Sequence, residues 1–204
     1  MNSINYNQTV FLKSFSNTTN IDIKNGIEIP FVGYSNSGKS SAINSLANHK
    51  KLARSSKTPG RTQLINFFEV VSNFRIVDLP GYGYSKFSIL KKLKSQNILY
   101  NYLSKRKQIK GLVLLMDIRH PLKILDQKII NISVKRNIPI LILLTKCDKL
   151  TTSQKNFQFK IVNKKLIQLL DTFQIEFFSS LKRIGIKKLE LKLNFWYKKN
   201  IFFE

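Results

Sequence analysis

The chain has 204 residues, enough for one domain with a substantial core, and no apolar run of about 18 residues that would make a transmembrane helix. Lys and Arg number 35 against 11 Asp and Glu, a formal net charge of +24. That balance points to a polyanionic partner, although abundant Ile, Asn, Lys and Phe also fit an AT-rich coding bias that raises charge without any partner. Cys147 is the only cysteine, which excludes an internal disulfide and suits a reducing compartment.

Residues 1–25 read as a short N-terminal extension, either an ordered strand or a frayed tail. Met1 to Asn20 is polar, without the apolar core of a signal peptide, so a cytoplasmic location is expected. Residues 26–204 read as a single domain, with no repeat or linker dividing them.

Ile27 to Val32 is the first strand of that domain. Gly33-Tyr34-Ser35-Asn36-Ser37-Gly38-Lys39-Ser40 follows, a complete G-x-x-x-x-G-K-S loop, and Ser41 to Leu46 opens an amphipathic helix. The glycines permit backbone angles that turn successive N–H groups towards one centre, where they and the helix N-terminus attract phosphate oxygens. Lys39 can reach β- and γ-phosphates, and the Ser40 hydroxyl can ligate Mg²⁺.

His49 to Arg61 is a polar loop. Leu64 to Val71 and Phe74 to Asp78 lie close enough to form a hairpin, which makes the sheet mixed. Asp78-Leu79-Pro80-Gly81 comes directly after a strand. Alone, D-x-P-G is an ordinary turn. About 40 residues beyond Lys39 it gains meaning, because Asp78 can hold a Mg²⁺ shell through water and the Gly81 N–H can meet a γ-phosphate.

Ser88 to Arg106 has helical periodicity through Ile89, Leu90, Leu93, Ile98, Leu99 and Leu103. Gly111 to Met116 is a strand, Leu125 to Lys135 a helix, and Ile138 to Leu144 the most apolar and most central strand. Thr145-Lys146-Cys147-Asp148 closes it and resembles the (N/T)-K-x-D guanine motif. Asp148 would accept from guanine N1–H and the 2-amino group, a paired contact adenine cannot offer, and the Lys146 stem would lie over the base. Ser153 to Leu170 is a helix and Phe173 to Phe178 a last strand. Phe178-Ser179-Ser180 falls where a backbone N–H can meet guanine O6. Ile186 to Lys199 is the C-terminal helix, in which Phe195, Trp196 and Tyr197 read as core contacts. The fold class is α/β: a P-loop NTPase G domain with a mixed, mostly parallel six-stranded sheet and helices on both faces.

A γ-phosphate-sensing threonine is expected before Leu64, and spacing leaves Thr58 and Thr62 open. The string Thr58-Pro59-Gly60-Arg61-Thr62-Gln63-Leu64-Ile65-Asn66-Phe67-Phe68, together with Asp78 to Tyr84 and Phe178 to Leu181, resembles the EngB family (also called YihA or YsxC) of bacterial TRAFAC-class GTPases. The resemblance runs from about Gly26 to the C-terminal helix. It implies nucleotide contacts at Gly33 to Ser40, at Gly60, Arg61, Thr62, Gln63 and Leu64, at Asp78 to Gly81, at Thr145 to Asp148 and at Phe178 to Ser180. It also implies Thr62 as the metal ligand beside Ser40, with Lys39, Thr62 and Gly81 acting on the reacting phosphate. Tyr34 stands where the family commonly has Arg, and Ser37 where Ala is common; neither supplies an essential side chain.

What the resemblance implies is a monomeric, Mg²⁺-dependent GTPase, with GTP as substrate and GDP as product. Such a protein assists assembly of the large ribosomal subunit, and the family is linked to cell division and septation. Two rivals stay open: a related GTPase acting on tRNA or division machinery, and a basic RNA-binding protein with a vestigial nucleotide site.

In the Ras-like template a Gln after the third motif orients the attacking water; Tyr82 stands there, and Gln63 belongs to the earlier loop, so slow hydrolysis is expected. Asn36 falls where related GTPases use Asn to help bind a monovalent cation such as K⁺, although a turn residue tolerating unusual angles reads equally well. Arg61 could stabilise the transition state, steer phosphate or contact RNA. From Gly81 to Met116 there is no acidic residue, while Lys91, Lys92, Lys94, Lys105, Arg106, Lys107 and Lys110 accumulate beside a loop with Tyr82, Tyr84 and Lys86. With Lys51, Arg54, Lys57 and Arg61 they read as an rRNA-facing surface, or as a solvated face inflated by coding bias. Lys182, Arg183, Lys187, Lys188 and Lys192 form a second basic cluster with the same two readings.

Overall fold

A computed structural model describes residues 4–53, 64–83, 88–169 and 173–201. Among the described residues seven strands run in the order β1-β3-β4-β2-β5-β6-β7: β1 (Val10–Phe15), β2 (Ile27–Gly33), β3 (Ile65–Val71), β4 (Phe74–Asp78), β5 (Leu112–Asp117), β6 (Ile140–Thr145) and β7 (Phe173–Phe177). β2 lies parallel to β4 and β5, and β5 to β6 to β7, while β3 is antiparallel to both β1 and β4. The mixed, mostly parallel α/β architecture is as expected, but the sheet has seven strands rather than six. The extra strand is β1. Its burial runs exposed through Val10 to Lys13 and closes only at Phe15, with a register shift between Phe11 and Lys13. An edge strand without strict alternation carries little pattern for sequence reading.

Alternation in the central strands assigns the two faces. Leu112, Leu114 and Met116 of β5 and Ile140, Ile142 and Leu144 of β6 join one core. Val113, Leu115, Leu141 and Leu143 join the other. The first core is covered by α2 (Ile89–Lys105), α3 (Ile124–Lys135) and α4 (Thr152–Ile167). The second is covered by α1 (Lys39–Leu46) and α5 (Ile186–Ile201), the latter through Ile186, Leu189, Leu193 and Trp196 at helical spacing. Trp196 is buried and Tyr197 stacks on Phe74 at 4.7 Å, but Phe195 is exposed. The α2 pattern is also half right. Ile98, Leu99, Tyr102 and Leu103 are buried, whereas Ile89, Leu90 and Leu93 face solvent, the buried stretch of α2 beginning at Ser95.

One buried charge ties α2 to the start of β2. Glu28 has a fully buried side chain, yet its carboxylate accepts from the Tyr102 hydroxyl at 2.6 Å and from Arg106 Nε at 2.8 Å, with Arg106 Nη2 at 2.5 Å on the second oxygen. Arg106 also donates to the Ile23 carbonyl. That corrects its place in the basic surface: the guanidinium faces Glu28. Replacing Glu28 by Ala leaves a guanidinium without its anion, so Glu28→Ala is expected to cost about 3 kcal/mol in urea unfolding. A loss below about 1 kcal/mol would show that Arg106 and Tyr102 find other partners.

Candidate guanine nucleotide site

β2 ends at Gly33, and the chain turns through Asn36 (φ 65°) and Gly38 (φ 99°) before entering α1. Gly38 takes an angle that a Cβ would penalise. As the N-cap of α1 it supplies no side-chain cap, and the first turn carries no acid, so the leading N–H groups suit an anion. The register Phe31↔Asp78 brings the end of β4 beside this loop. Ser40 hydrogen-bonds the Asp78 carboxylate, and Asp78 Oδ1 is buried with no hydrogen-bond partner among the described residues. Burial pushes the Asp78 carboxyl up, against the pull of Lys39 and Ser40. Burial likewise lowers the Lys39 ammonium, against Asp78. Two opposed charges and a hydroxyl at one buried point are the hard-oxygen and cationic groups that a Mg²⁺–phosphate ligand would satisfy. Residues 79–81 complete this end: a Cβ on Gly81 would lie 3.0 Å from Lys39 Nζ and 3.1 Å from Ser35 Cα, and Ser35 N–H donates to the Tyr82 carbonyl at 2.7 Å. Leu79 is buried, which leaves its backbone as the part that can serve a ligand.

At the other end, Thr145 Oγ1 donates to the Ser37 carbonyl at 2.7 Å, with the Met116 carbonyl at 3.1 Å. Lys146 has φ 57° and sends Nζ to the Asn36 carbonyl at 2.8 Å. The two motifs, more than a hundred residues apart in sequence, are thus stitched directly. Asp148 Oδ1 accepts from Ser179 Oγ at 2.5 Å, a bond that holds its carboxyl below the usual range. Cys147 is buried in the core, and burial pushes its thiol up, so only its backbone faces the site. The Phe178 N–H donates to the Leu144 carbonyl and the Ser179 N–H to the Ile184 carbonyl. Gly60, Arg61, Thr62 and Gln63, with Arg54, Lys57 and Thr58, lie outside the described residues, as do Tyr84 and Lys86; Leu64 is described and leads into β3.

A family model described as a 50S ribosome-binding GTPase matches residues 28–146. Among curated relatives, a probable GTP-binding protein EngB from Buchnera aphidicola subsp. Acyrthosiphon pisum is 66% identical over 200 residues, 98% of each chain. One of the same description from Haemophilus influenzae is 52% identical over 194 residues, 95% of each chain. The chain belongs to the EngB family of GTP-binding proteins. It is a GTPase, binding guanine nucleotide and hydrolysing GTP. A solved probable GTP-binding protein engB shares the fold at TM-score 0.70 and 22% identity, covering 85% of this chain and all of that one.

In this EngB-family chain the structure gives contacts to residues that sequence reasoning placed differently or passed over. Tyr82, expected to look outwards with its loop, is buried instead. Its ring packs against Tyr34 at 4.6 Å and its hydroxyl donates to Asp126 Oδ1 at 2.8 Å. Tyr34 Oη in turn accepts from the Leu125 N–H at 3.3 Å. So the phosphate loop, the third motif and the start of α3 are packed together by two tyrosines. Asp117 lies beside Thr145 in register and holds Lys146 Nζ at 3.0 Å. An acid at the end of an apolar strand was the available signal; only tertiary register gives it a partner.

Asp126 has a titration consequence. Burial raises its carboxyl to about 6, outweighing the Tyr82 hydroxyl and the Lys123 N–H and ammonium. An unfolded aspartate ionises near 3.9, so between those values the folded state binds more protons, and this group's stabilisation is full at low pH and lost as pH rises through 6. The stability of wild type relative to Asp126→Asn, measured by urea unfolding, is expected to fall by about 2 kcal/mol from pH 4 to pH 7. A flat difference would mean that Asp126 titrates as an ordinary surface carboxyl.

Proposed function

We propose that this GTPase is a slow, Mg²⁺-dependent switch that assists assembly of the large ribosomal subunit by docking on pre-ribosomal RNA. A link to cell division follows from that role, as the family resemblance implies. The observation that carries the reading is the match of residues 28–146 to a domain described as 50S ribosome-binding, on a chain of net charge +24. Lys94, Lys105 and Lys107 are exposed on α2 and the loop behind it, directly after the third motif. Cations there would meet phosphates at a place that senses nucleotide state. The C-terminal cluster is a weaker candidate: Lys188 pairs with Glu176 at 2.7 Å and Lys187 with Glu190 at 3.2 Å, although Lys182 and Arg183 are exposed.

Within the site, Ser40 and Thr62 are the proposed metal ligands, with Asp78 holding the metal's shell. Bound there, Mg²⁺ supplies charge neutralisation of the phosphates. Lys39 draws charge from the β- and γ-phosphates, and the Gly81 N–H donates to the γ-phosphate oxygens. Arg61, Gln63, Leu64 and the backbone of residues 33–38 are the proposed phosphate contacts. Asp148, Lys146, Thr145 and the Ser180 N–H read the base. The Tyr82 hydroxyl is committed to Asp126, which supports low turnover, since no side chain at that position orients the attacking water. Asn36, in a left-handed turn, is the proposed contact for K⁺.

Two measurements test this. Co-sedimentation with large-subunit particles is expected at low salt and should fall by about 10³-fold or more in affinity between 50 and 200 mM salt. Binding that ignores salt, or that prefers tRNA, contradicts the rRNA reading. GTP turnover is expected to be faster in K⁺ than in Na⁺, and equal rates remove the cation role of Asn36.

A further inference from the structure

Asp117 belongs to none of the nucleotide motifs, yet it sits at the join between them. It ends β5, in register with Thr145, and the next residues turn back sharply: the Ile118 N–H donates to the Thr145 carbonyl at 3.0 Å and the His120 N–H to the Asp117 carbonyl at 3.0 Å. The carboxylate is 15% exposed. Its Oδ2 lies 3.0 Å from Lys146 Nζ and 2.7 Å from Arg119 Nη2, while Oδ1 accepts from Arg119 Nε at 2.9 Å and from the Arg119 N–H at 3.1 Å. Lys146 spends a second donor on the Asn36 carbonyl.

A lysine stem has four flexible torsions, and laying it across a base orders all of them. Anchoring the ammonium beforehand removes much of that cost from binding. Resting on the guanine-site reading above, we propose that Asp117 is a positioning residue for base recognition: its carboxylate fixes the Lys146 ammonium so that the stem covers the base. The same ammonium ties the phosphate loop to this anchor through Asn36. Arg119 locks the carboxylate from the outside. Burial alone would raise the Asp117 carboxyl, but the bonds from Arg119 and Lys146 hold it well below the ordinary range, so the anchor stays charged across the neutral region. Without that anion, Lys146 and Arg119 would face each other as two like charges.

The test is the affinity of the full chain for N-methylanthraniloyl-GDP, with steady-state GTP hydrolysis. Asp117→Asn is expected to raise Kd and KM about tenfold, while kcat falls less than about twofold. In a Lys146→Met background the same change should add less than about twofold, because the partner it positions is gone. Asp117→Glu, which keeps the anion, should stay within about threefold of wild type. Unchanged affinity in Asp117→Asn, or an equal tenfold loss in both backgrounds, overturns the proposal. Wild-type protein that binds no GDP would instead overturn the guanine-site reading itself.

Discussion

Parallel strand register is the constraint on which the site depends. Phe31 lies opposite Asp78, Gly33 opposite Leu115 and Asp117 opposite Thr145, so four strands end along one edge. Residues far apart in the chain therefore emerge within one side-chain length of each other. A one-residue slip in β6 would turn Thr145 to the other face and take Asp148 with it. The near-complete burial of Leu112 to Met116 and Ile140 to Leu144 makes such a slip costly, because each strand packs on both faces. The core holds the chemistry in place through the sheet, rather than by direct contact.

Electrostatics then explain why this edge favours one kind of ligand. Lys39 and Asp78 sit where burial opposes both charges, and an Asp78 oxygen has no hydrogen-bond partner among the described residues. A phosphate anion and a divalent cation would complement that pair, so stability is given up locally in favour of binding. The base end follows a different logic. There Asp148, Asp117, Lys146 and Thr145 are already bonded to Ser179, Arg119, Asn36 and Ser37, which makes it a preorganised surface. Lys146 joins the two ends, since its ammonium touches the loop that would cradle phosphate.

Sequence patterns carried most of this. The phosphate loop, the D-x-P-G turn and the T-K-x-D segment each have a local requirement for particular residues, and each sits at the end of a strand whose apolar run is legible. Side chains that act across the fold were not legible in the same way. Tyr82 reads as one of several aromatics in a polar loop, and only the packing of α3 turns it inward to Asp126. Arg106 reads as one cation among many, and only the proximity of β2 pairs it with Glu28. β1 stayed open between ordered strand and frayed tail because three consecutive exposed apolar residues, Val10, Phe11 and Leu12, break the alternation that marks a strand. Ile89, Leu90 and Leu93 misled for the opposite reason: their spacing is helical, but the helix begins beyond the edge of the core.

One pocket that reads guanine at one end and triphosphate at the other is the central claim, and titration calorimetry of the full chain with Mg²⁺ tests it most directly. Saturable heat with GDP and GTP, and none with ATP under the same conditions, is the predicted result. Folded protein that gives no heat with either guanine nucleotide, or takes up ATP equally well, would contradict it.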